Sequence, residues 1–176
     1  MSELVVGSIA GLASNDYVVS VASGSKLVQP GSVLQVVNTI KDVTFSTTST
    51  SYVDVTGLSA SIIPTATTSK VLVLVDVALG NSGSQGTRTL GQILRDSTPI
   101  GNNATSSNSL IIITAFEGNR SIETKSLGIL DSPSTTSAVT YKIQVKTDSG
   151  TGYVNRGGST AALEAVSSIT LMEIAG

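Results

Sequence analysis

The sequence predicts an all-β protein, an antiparallel β-sandwich or jelly roll. Three observations carry this. Helical periodicity is nearly absent along the 176 residues. Short runs rich in β-branched residues alternate instead with turn clusters at roughly ten-residue spacing. Finally, about 40% of residues are apolar, enough for one packed core, while only 12% are charged and Ser and Thr number 50. Charge this sparse is roughly half the usual share, and a hydroxyl-rich surface suits a protein that hides part of itself in subunit contacts.

The first thirty residues differ from the rest. They are rich in Gly, Ser and Val, carry Tyr17 as their one aromatic, and end at Pro30-Gly31. Residues 1–30 are expected to form an attachment arm or short stalk and 31–176 the globular body; the alternative is that the segment is simply the first strands of one domain. Leu4, Val5, Val6 and Ile9 are the apolar residues with which such an arm would attach. The stretch Leu4 to Ala13 does not read as a signal sequence, because it lacks basic residues, carries Glu3 and is broken by Gly7 and Gly11.

Strands are expected at Tyr17–Val21, Val33–Phe45, Tyr52–Val55, Ala60–Ile63, Lys70–Ala78, Thr89–Arg95, Leu110–Phe116, Thr124–Leu130, Tyr141–Lys146, Tyr153–Arg156 and Ser167–Ile174. Tyr141–Lys146 is the clearest: Tyr141, Ile143 and Val145 face one way and Lys142, Gln144 and Lys146 the other. Lys70–Ala78 (KVLVLVDVA) is apolar on both faces apart from Asp76, and Leu110–Phe116 (LIIITAF) is similar. Both faces of such strands must be covered, so Val71, Val73, Val75, Ile111, Ile112 and Ile113 are candidate subunit-interface residues. Pro30-Gly31, Gly80 to Gly86, Gly101-Asn102-Asn103, Gly118-Asn119, Asp148-Ser149-Gly150 and Gly157-Gly158 mark turns. Thr160 to Val166 is the one helical candidate, and it could equally begin the last strand.

The chemistry the sequence lacks narrows the function. There is no His and no Cys, which removes Ser-His and Cys-His nucleophiles, imidazole and thiolate metal ligands, and disulfides. Ser25-Lys26 and Ser69-Lys70 are adjacent pairs, which on a strand point to opposite faces. The twelve carboxylates are dispersed, and no D-x-D-x-D-G calcium loop occurs. Gly80 to Gly86 (GNSGSQG) lacks a Walker lysine. Two Phe, four Tyr and no Trp offer little stacking surface for a sugar-binding module, with Tyr52 or Tyr153 the only loop candidates. The ten basic residues are scattered and never adjacent, unlike a nucleic-acid footprint. No run approaches the roughly 18 apolar residues of a membrane span. The expectation is therefore no catalytic residues, no metal, no cofactor, no nucleic acid and no membrane insertion.

The runs Pro30 to Val37 (PGSVLQVV), Ser49 to Pro64 (STSYVDVTGLSASIIP) and Ser69 to Val75 (SKVLVLV) resemble tail-fibre and virion structural proteins of marine and cyanobacterial phages. Leu94 to Thr98 (LRDST), Leu130 to Ser134 (LDSPS), Thr140 to Val145 (TYKIQV), Tyr153 to Gly158 (YVNRGG) and Ser168 to Gly176 (SITLMEIAG) extend the resemblance over most of residues 31–176. No single motif among them is catalytic; the resemblance lies in their order. It implies a virion protein with a knob-like jelly roll, assembled as a homotrimer and displayed on the particle exterior. An arm in place of a shaft favours a capsid decoration or cement protein, or a short head fibre, bound to the major capsid protein. The alternative is a tail-fibre tip or receptor-binding protein joined to a tail protein, with a host surface glycan as a further contact. A sugar-binding module is the remote third possibility.

Overall fold

The computed structural model describes residues 29–84, 86–101, 111–114, 122–158 and 164–176, with the backbone alone described for 111–114. The expected strand Tyr17–Val21 and residues 1–28 of the expected arm lie outside these residues. Among them every regular element is a strand: β1 Val33–Lys41, β2 Phe45–Thr47, β3 Val53–Ile62, β4 Lys70–Asn81, β5 Arg88–Arg95, β6 Thr98–Ile100, β7 Ile111–Thr114, β8 Ile122–Asp131, β9 Val139–Thr147, β10 Gly152–Val154 and β11 Ser167–Ile174.

The strands form two antiparallel sheets. In the first, β1 pairs with β11, β11 with β4, and β4 with β8 on its other side. Short β10 takes the place of β11 beside the far end of β4, with β2 beyond it. In the second, β3 pairs with β9 and β9 with β5, whose free side receives β7 and then β6. Along β1, β3, β4, β5, β7, β8, β9 and β11 the chain alternates between sheets, except for the β5–β7 hairpin. The resulting orders, β1-β11-β4-β8 against β3-β9-β5-β7, are those of a jelly roll.

The core lies between the sheets and follows the period of two. From the first sheet come Val71, Val73, Val75, Val77 and Leu79 of β4 with Ile169 and Leu171 of β11. From the second come Val55, Leu58, Ala60 and Ile62 of β3, Ile93 of β5, and Val139, Tyr141, Ile143 and Val145 of β9. The spacing on β3 slips from two to three between Val55 and Leu58 because the strand is irregular there: pairing with β9 lapses between Asp54 and Ser59. Gly57 sits in that stretch at φ +82°, which an L side chain rarely adopts. The sequence splits this segment into two strands, Tyr52–Val55 and Ala60–Ile63, where the chain makes one bulged strand.

Val33–Phe45, expected as one strand, breaks at Asp42-Val43-Thr44 into β1 and β2. The break is fixed by Asn155, fully buried in a left-handed conformation at φ +61°. Its amide donates to the Lys41 carbonyl at 2.7 Å, and its carbonyl oxygen accepts from the Ser167 hydroxyl at 2.5 Å. The Ser167 oxygen in turn accepts from Ala78 N at 3.0 Å. Thr160 to Val166 is described only from Glu164, which bridges to Arg156 as extended chain and not as helix. β6 was not expected; the Asp96 turn returns the chain along β5, and Thr140 N donates to the Asp96 carboxylate.

Ile143 is fully buried at the centre of this core. Ile143→Ala should cost about 2–5 kcal/mol, read as a lower urea midpoint with an unchanged slope.

Candidate functional site

The residues singled out in the sequence fall in three places. Leu4, Val5, Val6 and Ile9 lie outside the described residues. Val71, Val73 and Val75 point into the sandwich and are at most 1% exposed. They are core, not subunit interface: the pleat turns this row toward the opposing sheet, and the residues left facing outward on β4 are Lys70, Leu72, Leu74 and Asp76. Ile111, Ile112 and Ile113 form β7 and pair with Gly91, Leu90 and Thr89 of β5; their side chains are outside the described residues. The expectation of burial between subunits rests on the two-sided apolar strands. The chain's own core accounts for the inner side of β4 and leaves the outer side to be explained.

The acidic groups with shifted ionisation are built into struts. Glu173 is fully buried in β11. Its carboxylate accepts from Gln35 Nε2 at 2.6 Å and from both the backbone N and the hydroxyl of Thr65 at 2.7 Å. Burial pushes this carboxyl up, but the donors from Gln35 and Thr65, with the Ser69 hydroxyl beside them, outweigh it and hold the group below the usual glutamate value. The cluster ties β1 and the β3–β4 loop to β11. Asp131 of β8 takes Arg95 Nη1 at 2.9 Å and the Tyr141 hydroxyl at 2.7 Å, joining the edge of one sheet to two strands of the other. Burial, and then this bond to Asp131, raise the Tyr141 phenol far above its usual range. Burial raises Asp148, yet the Arg88 backbone and guanidinium bring it below the ordinary aspartate value.

These groups share no cleft in which a nucleophile, a base and an oxyanion donor converge. No group of three or more metal-ligating acidic side chains occurs among the described residues. What the fold presents instead is two unlike outer faces.

On the second sheet, Asp54 of β3 accepts from Lys142 Nζ at 2.8 Å and from Gln144 Nε2 at 2.7 Å, and Gln92 donates to Gln144 at 2.7 Å. The bonds from Lys142 and then Gln144 hold Asp54 below its usual value. Lys146 lies 4.6 Å from the Tyr52 ring centre, beside a hollow of about 310 Å³ lined by Thr50, Arg88, Leu90, Lys146, Thr147 and Asp148. The exposed part of this face is a polar lattice with one aromatic, and Leu90 and Leu94 of β5, opposite Lys146 and Lys142, lie buried within it.

The first sheet's outer face carries an apolar band between more polar rows. One cross-strand row is Val36, Met172, Leu72 and Leu130, on β1, β11, β4 and β8 in turn. Val36 and Leu130 are 55% and 54% exposed. The next row is Asn38, Thr170, Leu74 and Gly128. Sequence reasoning missed this face: the signal was the even-numbered residues of β4, Leu72 and Leu74, rather than the odd-numbered valines.

No family model and no curated protein matches the chain. Among solved structures, the Gt strain of infectious bursal disease virus aligns over 90% of this chain at 13% identity and TM-score 0.43. A VP2 subviral particle of the same virus aligns over 90% at 17% identity and TM-score 0.40. The chain spans about two-fifths of the length of either structure. Scores this low do not establish a shared fold; the jelly roll rests on the strand pairing above.

The Glu173 strut has a pH signature. Because its carboxyl is held below the usual 4.5, its contribution is present above that pH and lost as pH falls through the lower folded value. Glu173→Gln should cost about 1–3 kcal/mol at pH 7 and flatten the acid limb of stability, checked by urea titrations from pH 7 to 3.

Proposed function

We propose that this chain is a structural protein of a bacteriophage virion, displayed on the particle exterior as a capsid decoration or cement protein or a short head fibre. The observation that carries it is the inequality of the two outer faces. A sandwich with an exposed apolar band on one outer sheet and a hydrogen-bonded polar surface on the other is suited to be covered on one side and wet on the other. The hydroxyl-rich composition and the ordered resemblance of residues 31–176 to phage virion proteins support the same assignment. In this role the chain binds and is displayed, and it needs neither catalysis nor a cofactor. Leu4, Val5, Val6 and Ile9 would seat the arm on another virion protein, such as the major capsid protein.

The second reading is a tail-fibre tip or receptor-binding protein. The Tyr52–Lys146 contact beside the Thr50, Arg88 and Asp148 hollow favours it, since an aromatic edge with convergent polar groups is suited to weak recognition of a host surface glycan.

Gold-labelled antibody against the purified protein, applied to phage particles in negative stain, separates the two. Label over the head supports decoration, label over the tail supports receptor binding, and particles without label overturn both. A full-length chain with Leu4, Val5, Val6 and Ile9 all replaced by Ser should keep the circular dichroism and melting of the parent while losing at least tenfold in affinity for particles. Retained full occupancy would move attachment away from the arm.

A further inference from the structure

The outer face of the β1-β11-β4-β8 sheet is complementary to itself. We propose that it is covered by a second copy of this chain, the two sheets stacked face to face about a two-fold axis running across the strands. This is inferred from the face alone and does not depend on the virion assignment.

Along β4 the outward residues read Lys70, Leu72, Leu74 and Asp76. A two-fold axis perpendicular to the strands, passing midway between Leu72 and Leu74, reverses β4 upon itself. It lays Leu72 over Leu74 of the second copy and Lys70 over Asp76. The apolar pair is then closed at each end by an ion pair, and both ion pairs form in one operation. Lys70 and Asp76 are exposed, and neither makes an ion pair among the described residues; Asp76 accepts a hydrogen bond from Ser126.

On the neighbouring strands the same operation lays Val36 over Asn38 and Met172 over Thr170 beside the centre, and closer matches lie at β8 and at the ends of β1. On β8 the exposed Leu130 stands one row from Gly128, whose missing side chain leaves a hollow of about 350 Å³ bordered by Leu74, Asp76, Ser126 and Leu127. The axis that pairs Lys70 with Asp76 carries Leu130 of each copy onto the Gly128 hollow of the other, and the hollow is roomy enough for its isobutyl group. On β1 the axis brings Val33, 54% exposed, over Ile40, 63% exposed, because Ile40 lies in the Asp76 row through Ser168. Stacked sheets tolerate a rotation of about 30° between strand directions, which leaves the central pairs in contact.

The area is adequate. Strands about 4.8 Å apart and same-face rows about 6.7 Å apart give a flat area on the order of 500 Å². With side-chain relief this approaches the roughly 800 Å² per partner of a standard interface. A face with charge of one sign, or knobs without a hollow, would fit a different partner better than a copy of itself.

Sedimentation velocity of the full chain at micromolar concentration should show a dimer or an even-numbered assembly. Lys70→Glu or Asp76→Lys alone replaces two attractive pairs by two repulsive ones, and each should weaken association at least tenfold. The double variant K70E/D76K restores opposite charges across the axis and should return to within about threefold of the parent. Both substitutions are at exposed positions, and unchanged circular dichroism of the three variants confirms folding. Gly128→Val, which fills the hollow, should also weaken the dimer. A monomer at tens of micromolar overturns the proposal. So does a trimer or other assembly indifferent to the single swaps, or a double variant no better than the singles. If residues 1–28 of the same chain occupy the face, the protein is monomeric and the swaps leave it so, which likewise counts against a second copy.

Discussion

Strand β4 has partners along both edges and apolar side chains on both faces, and the rest of the molecule is arranged around that. Its backbone groups are taken by β11 and β10 on one side and β8 on the other. Its inward valines then require a second sheet, which β3, β9 and β5 supply. Of a central strand with valines on one face and leucines on the other, the described residues of the sandwich cover the valine face. The inner row is desolvated by the opposing sheet. The outer row remains, and the unequal character of the molecule's two outer faces begins there.

Polar groups inside the sandwich serve to fix geometry. Glu173, Asn155 and the Asp131–Arg95–Tyr141 group each join segments distant in sequence, chiefly through bonds of 2.5–2.9 Å. A buried carboxylate without hydrogen-bond donors would be costly; Glu173 has donors from β1 and from the β3–β4 loop, so the strands that bring them must arrive in the correct register. Such groups add less to stability than the apolar core around them, and they make alternative registers costly.

How much of this was legible beforehand depended on whether a segment's own pattern decided its fate. β9 and β11 were, because alternation in Tyr141–Lys146 and Ser167–Ile174 marks a strand with one covered face. β4 was legible as a strand but not in orientation. When both faces are apolar, the sequence cannot say which one meets the second sheet, and Val71, Val73 and Val75, candidates for a subunit interface, face the opposing sheet. The single strand through Tyr52–Ile63 was hidden by Gly57, which reads as a break and acts as a bulge. The separation of β1 from β2 is set by Asn155, more than a hundred residues away, so nothing local reports it. Glu173 gave the same difficulty: a lone acid in a terminal strand reads as solvated until Gln35 and Thr65 are brought to it.

The pairing of β1 with β11 also sets an order of events in time. During synthesis β1 emerges more than a hundred residues before its ladder partner, residues 167–174. Until then one edge of β4 lacks most of its partner too, so the first sheet cannot close however early its other strands are ready. Long-range pairing of this kind makes folding slow relative to helical proteins of similar size. Val36, Ile40 and Leu72 therefore spend the whole interval uncovered, in a chain with few charges to keep copies apart. The sparse charge that suits the finished surface makes the unfinished one adhesive, and yield of folded protein will depend on temperature and on how crowded the nascent chains are.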